Sequence, residues 1–207
     1  MAVKAVLTGD IVNSTKLKTV LEKKLVKALQ SILSPYQYEF YRGDSFQVLV
    51  KKPEEALRVA LLCRTAAISI SKKATINTAD IRFSIGLGVV SLPVKTLGAA
   101  KSEAFVLSGR AFDELQIADS RLVISSVNGL ANIGLQVIAD YLNIIFKVMT
   151  GKQAEVILAL LQQQTQRAVA ASLKKSTSTI HQHVVSGRWI EIEKLLQHYE
   201  NIINQLT

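Results

Sequence analysis

The chain has 207 residues, 49% hydrophobic and 20% charged, which excludes intrinsic disorder and leaves room for one large domain or two small ones. A net charge of +9 and a pI near 9.7 favour polyanionic partners such as nucleic acid. The single Cys63 excludes an internal disulfide and a cysteine-based zinc site, and its neighbours Val59, Ala60, Leu61, Leu62, Ala66 and Ala67 mark it as a buried structural thiol.

The first apolar run, Lys4 to Thr8, is too short for a signal peptide and is closed by Gly9-Asp10, so it predicts a buried strand. From Lys16 to Leu33 the apolar residues Leu17, Val20, Leu21, Leu25, Leu29, Ile32 and Leu33 form a helical stripe, with Ser14 or Thr15 as N-cap and Pro35 as stop. Tyr36 to Tyr41 and Phe46 to Val50 flank Arg42-Gly43-Asp44-Ser45 and predict a hairpin with a four-residue turn. Pro53-Glu54-Glu55 opens a helix to about Ser71, with proline at its first position and acids in its first turn. Ile81 to Ser91 returns as a strand, Ser108 to Ala118 as a helix and Arg121 to Ser125 as a short strand. The order β-α-β-β-α-β-α-β predicts a ferredoxin-like α+β sandwich, its sheet antiparallel or mixed and its helices mostly on one face.

The stretch from Leu122 to Ala139 is uncharged, but Ser125, Ser126, Asn128, Asn132, Gln136, Gly129 and Gly134 argue against a membrane span, so a soluble, cytoplasmic protein is expected. Past residue 126 only helical patterns remain: Leu135 to Met149, Lys152 to Gln162, Gln166 to Leu173, Thr177 to Ser186 and Trp189 to Leu206. The expected division is an α+β domain over 1–126, a connecting helix within 127–149 and an all-α domain over 150–207.

That last domain carries a charge anomaly. Val156 to Ile190 contains no Asp or Glu, while Arg167, Lys174, Lys175 and Arg188 give it four positive charges. Thr150 and Gln153 have capping-box spacing, Thr165 caps a short helix, and Ser176 caps another in which Ile180 and Val184 face inward. Ala170 is small, as close helix crossings require. The pattern predicts a helix-turn-helix bound to double-stranded DNA. In it the helix from Thr165 to Leu173 would cross the DNA backbone, and Thr177, Ser178, His181 and Gln182 would meet base edges in the major groove, where Gln can read adenine. Gln166, Arg167, Lys174, Lys175, Ser176, Thr179 and Arg188 complete the expected DNA-binding set. Ser and Thr are ordinary helix caps anywhere, and Lys174-Lys175 is an unusual turn because one lysine would take a positive φ. His181 and His183 point about 200° apart and cannot share a metal. In the last helix Ile192, Leu195, Leu196, Tyr199, Ile202, Ile203 and Leu206 form one stripe, which can pair with its copy in a homodimer or pack on its own domain.

In the N-terminal half, Asp10 after the first strand and Asp44 in the hairpin turn would come to one edge of the sheet. Two carboxylates there suit a hard cation such as Mg²⁺, although Asp favours turns for its own reasons. Asp10-Ile11-Val12-Asn13-Ser14-Thr15, Gly43-Asp44-Ser45-Phe46 and Ile81 to Gly88 resemble the three core segments of class III nucleotidyl cyclase domains, with Asp10 and Asp44 on the two metal-binding aspartates. With Ser108-Gly109-Arg110-Ala111-Phe112-Asp113 and the C-terminal helices, the whole chain resembles the SatD family, bacterial proteins that join such a domain to a DNA-binding one. The resemblance implies a nucleotidyl-cyclase-like sandwich, Mg²⁺ with a nucleotide as ligand, and transcriptional regulation.

The catalytic pattern departs from that family. Its Asn and transition-state Arg fall on Asp113 and Ile117, and its Lys before the hairpin Gly falls on Phe40. No catalytic residue is assigned, and a degenerate, sensing domain is expected. The alternative is a Mg²⁺-dependent nucleotide-processing enzyme of the cyclase type.

Overall fold

A computed structural model describes residues 2–41, 43–70, 79–117 and 120–206, with only the backbone for 116 and 117. Arg42 of the predicted turn, Ser71 and Ala118 at two predicted helix ends, and the side chain of Ile117 lie outside it. A five-stranded sheet runs in the order β2-β3-β1-β4-β5, from β1 (Val3–Val12), β2 (Gln37–Tyr41), β3 (Ser45–Val50), β4 (Asp80–Val89) and β5 (Leu122–Ser126). β1 pairs antiparallel with both β3 and β4, and β5 joins β4 in parallel, so the sheet is mixed.

β1 runs past its predicted end, because Gly9 is not a turn. A Cβ there would lie 2.7 Å from the Phe83 ring, and Gly9 lets the Phe46 and Phe83 rings close over the strand. Pairing therefore continues to Val12 opposite Asp80. Helix α1 (Thr19–Leu33) begins later than predicted, behind a short 3-10 turn at Ser14–Lys16 and with Lys18 rather than Ser14 or Thr15 at its N-cap. Ser14 Oγ donates instead to Asp44 Oδ2 at 2.8 Å. Ser45, expected in the hairpin turn, already pairs with Tyr41.

α1 and α2 (Ala56–Ile70) cover one face of the sheet, packing Leu25, Leu29, Leu57 and Leu61 on Ala5, Leu7 and Ile11. α3 (Glu103–Ile117) covers the other face and starts five residues earlier than predicted. It rides close to the sheet, since a Cβ on Gly86 would lie 2.3 Å from the Ala104 carbonyl oxygen. Ser108 Oγ meets Thr8 Oγ1 at 2.7 Å, and Ser84 Oγ donates to the Ser108 carbonyl at 2.7 Å.

After β5 come α4 (Gly129–Lys147), α5 (Gly151–Leu161), α6 (Gln166–Leu173), α7 (Thr177–Ser186) and α8 (Trp189–Leu206). α4 starts six residues before the predicted Leu135, because Asn128 caps it by accepting from the Ala131 amide. The Thr150–Gln153 capping box forms as predicted. One hydrophobic core runs without a break from the sheet through α2 into Ile157, Val169, Ile180, Ile192 and Ile203. The α8 stripe faces this core, and its buried Tyr199 hydroxyl donates to the Pro53 carbonyl at 2.8 Å.

Candidate functional site

Side chains alternate along β1, and the even positions Val6, Thr8 and Asp10 face α3. Register places Asp10 between Ser45 of β3 and Arg82 of β4. The hairpin brings Asp44 to the same strand end, where the Ile11 amide donates to the Asp44 carbonyl at 3.0 Å. Gly43, at φ 87°, supplies the left-handed residue that the turn requires. The two predicted carboxylates are thus brought together.

Their surroundings differ. Asp44 accepts from Ser14 and, at 3.4 Å, from Ser45. Asp10 Oδ1 is buried with no hydrogen-bond partner, and the facing Arg82 Nε, also unpartnered, stands 3.9 Å away, beyond hydrogen-bond reach. Burial raises the Asp10 carboxyl above the ordinary carboxylate value, Arg82 and Arg121 pull it down, and Asp44 pushes it up. An orphaned buried carboxylate oxygen beside a second carboxylate and two hydroxyls is a donor set that fits a hard cation such as Mg²⁺. Among the described residues no cluster of three or more His, Cys, Asp or Glu is present, so further ligands would come from backbone carbonyls, hydroxyls, water or a phosphate.

Next to this strand end a cavity of about 370 Å³ is lined by Asn13, Arg64, Asp80, Arg121, Asn143 and Lys147, among others. Arg64, 1% exposed, forks onto Asp80 with Nε–Oδ1 at 3.1 Å and Nη2–Oδ2 at 2.8 Å, and lies 4.6 Å over the Phe146 ring. Sequence reasoning missed this pair. The single charged residue inside the apolar run 59–70, Arg64, was its available signal, since an unpaired buried charge is not tolerated. Arg82 was missed as well, and alternation within β4 would have put it on the Asp10 face.

Phe40 packs 5.1 Å from Phe46 in an aromatic row, and Asp113 is exposed on α3.

In the C-terminal helices, Gln166, Arg167, Lys174, Lys175, Ser176, Thr177, Ser178, His181, Gln182 and Arg188 are exposed and Thr179 is half-buried. Ile180 and Val184 are buried, as predicted. Lys174 takes the left-handed conformation at φ 53°, and the Lys175 amide bonds back to the Ala170 carbonyl, closing the turn between α6 and α7. Ser176 Oγ is committed to capping through the Thr179 amide, and Arg188 to Glu191 at 3.0 Å.

In class, this is a mixed α+β sandwich followed by helices. No family model and no curated protein matches the chain. Two solved structures resemble part of it. The active GGEEF domain of a diguanylate cyclase from Vibrio cholerae matches with 13% identity over 61% of this chain and 83% of its own, at a TM-score of 0.40. A bacterial light-regulated adenylyl cyclase matches with 16% identity over 60% of this chain and 43% of its own, at a TM-score of 0.39.

Proposed function

We propose that this protein is a DNA-binding transcriptional regulator of the SatD type, in which a cyclase-like domain over 1–126 holds Mg²⁺ with a nucleotide and a helix-turn-helix within 150–207 binds duplex DNA. The observation that carries the reading is the α6–α7 pair. Its outward side presents Arg167, Lys174, Lys175, Thr177, Ser178, His181 and Gln182, and no acid occurs from Val156 to Ile190. On this reading α6 crosses the phosphate backbone and α7 enters the major groove with its N-terminal turn, where helix dipole and side chains both favour an anion.

The test is fluorescence anisotropy with fragments selected from random duplex DNA, measured over a range of salt. Lys174→Ala with Lys175→Ala is expected to weaken binding uniformly and flatten the salt slope by about 2. Gln182→Ala is expected to relax preference at one base pair. Unchanged affinity and salt slope when Lys174→Ala, Lys175→Ala and Gln182→Ala are combined would refute the proposal.

The orphaned Asp10 oxygen favours one second reading, a Mg²⁺-dependent nucleotide-processing enzyme in which Asp10 and Asp44 hold the metal. Bound there, Mg²⁺ would supply charge neutralisation for phosphate oxygens. Turnover of a nucleoside triphosphate that disappears in Asp44→Ala supports it, and no turnover of any common nucleoside triphosphate refutes it.

A further inference from the structure

The outer side of α4 is apolar and uncovered. Leu130, Ile133, Val137, Tyr141 and Ile144 are 80%, 65%, 63%, 42% and 64% exposed, while Leu135, Ile138, Ala139, Leu142, Ile145 and Phe146 on the same helix are buried. At 100° per residue the five exposed side chains fall within an arc of about 80°. Gln136, Asp140 and Lys147 edge the arc on one side, and the core-facing residues adjoin it on the other. α4 therefore carries an apolar surface about twice as wide as the described residues cover.

Two properties of the stripe point to its occupant. The first is its spacing. From Leu130 to Ile144 the steps are three, four, four and three residues, a pattern symmetric about Val137. A continuous heptad would place its next apolar residue at Asp140, and here it falls at Tyr141 instead, which restores the symmetry. In an antiparallel pair of identical helices, two-fold symmetry requires that whenever one residue meets a second, the second meets the first. An axis through Val137 sets Val137 on itself, Ile133 on Tyr141 and Leu130 on Ile144, so every apolar residue meets an apolar residue. The second property is size. With Val127 and Val148 at its ends, both well exposed, the stripe presents on the order of 800 Å², about what each partner buries in a stable complex.

From this geometry we infer that α4 is a homodimer interface, the α4 helices of two copies packing antiparallel across a two-fold axis at Val137. The inference does not rest on DNA binding or on the metal site. α4 also meets the length and composition of a membrane-crossing helix, although a third of it is buried inside the fold. Its polar border carries one acid and one base rather than the basic rim of a membrane-surface helix.

Sedimentation of the full chain between about 1 and 100 µM, a range suited to an interface of this size, is expected to show a dimer. Val137→Glu sets two carboxylates against each other at the axis and is expected to weaken the dimer about 100-fold or more. Val20→Glu, at a 78% exposed position on α1, is expected to leave it unchanged. Cross-linking with a short bis-maleimide supplies a measurement that does not depend on disruption, and Cys63, fully buried, stays silent. Val137→Cys is expected to cross-link to itself. Leu130→Cys alone is not, because the two positions would lie about 21 Å apart along the axis, whereas Leu130→Cys mixed with Ile144→Cys is. A monomer throughout the concentration range, a dimer indifferent to Val137→Glu, or self-cross-linking of Leu130→Cys would overturn the inference. So would a monomer that floats with vesicles of phosphatidylcholine and phosphatidylglycerol.

Discussion

Substituting Asp80 by alanine strands the most deeply buried charge among the described residues. Arg64 is 1% exposed, and its guanidinium is satisfied by two bonds to Asp80, a 3.5 Å contact from Nη1 to Asn143 Oδ1 and the face of Phe146. Without Asp80 the charge keeps only the weak contact, the ring and whatever water the adjoining cavity admits. Removing one partner of a buried pair costs about 3 to 5 kcal/mol. At about 2 to 4 °C per kcal/mol for a chain of this size, Asp80→Ala is expected to lower Tm by roughly 6 to 20 °C. The reverse substitution is not equivalent. Asp80 is 17% exposed at its side chain and also accepts from the Ile81 amide at 2.7 Å, so after Arg64→Met it can hydrate while the methionine fills the arginine stem's space. Arg64→Met is expected to cost about 1 to 2 kcal/mol. Thermal melts followed by circular dichroism at low and high salt measure both. Equal losses in the two variants, or a loss below about 1 kcal/mol in Asp80→Ala, would refute the asymmetry and with it the account of Arg64 as a charge held only by its partner.

Three further outcomes are expected. Gly86→Ala drives a methyl into the α3 backbone and is expected to abolish soluble folding or displace α3, whereas Gly109→Ala, with nothing within 4 Å of its Cβ, is expected to raise stability by about 0.5 to 1 kcal/mol in denaturant titration. Lys174→Gly relieves a left-handed lysine and is expected to stabilise by up to about 1 kcal/mol while weakening DNA binding, so melting and anisotropy should move in opposite directions. Because burial raises Asp10 above its ordinary 3.8, its neutral form stabilises the fold below that pH, and this contribution is lost as pH rises through the folded-state value. Asp10→Asn is accordingly expected to melt higher than the parent at neutral pH, to lose that advantage as the solution is acidified, and to abolish any rise in Tm on adding Mg²⁺.

How far the sequence carried depended on whether the relevant force is local. Bounds for α6, α7 and α8 agree with the reading of the sequence because caps and periodicity set them, as Thr165 and Ser176 do. The five strands and their order along the chain were legible from alternation and turn residues, but not their order within the sheet. Misread positions are those where a distant element decides. Gly9 looked like a strand end but accommodates the Phe46 and Phe83 rings. Ser14 looked like a cap but serves Asp44. Ser108 looked like a helix start, although α3 begins at Glu103 and Ser108 is interior to it. At the strand end, both aspartates were visible as residues, but the Asp10–Arg82 opposition depends on the β1–β4 register, which no single segment encodes. The pairing of Arg64 with Asp80 likewise depends on where α2 lies against the start of β4.

The unbroken core has a thermodynamic consequence. Arg64 ties α2 to the first residue of β4, Arg58 on the same helix donates to the Leu161 carbonyl of α5, and Tyr199 holds α8 to Pro53. A ligand at the end of β1 and a polyanion on α6 and α7 would then act on one shared folding equilibrium. Coupling between two such sites is reciprocal: on the proposed reading, whatever factor a nucleotide imposed on DNA affinity, DNA would impose on nucleotide affinity. Measuring either affinity in the presence of the other partner closes the cycle, and a mismatch between its two halves would point to a third participant, such as a shift between monomer and dimer.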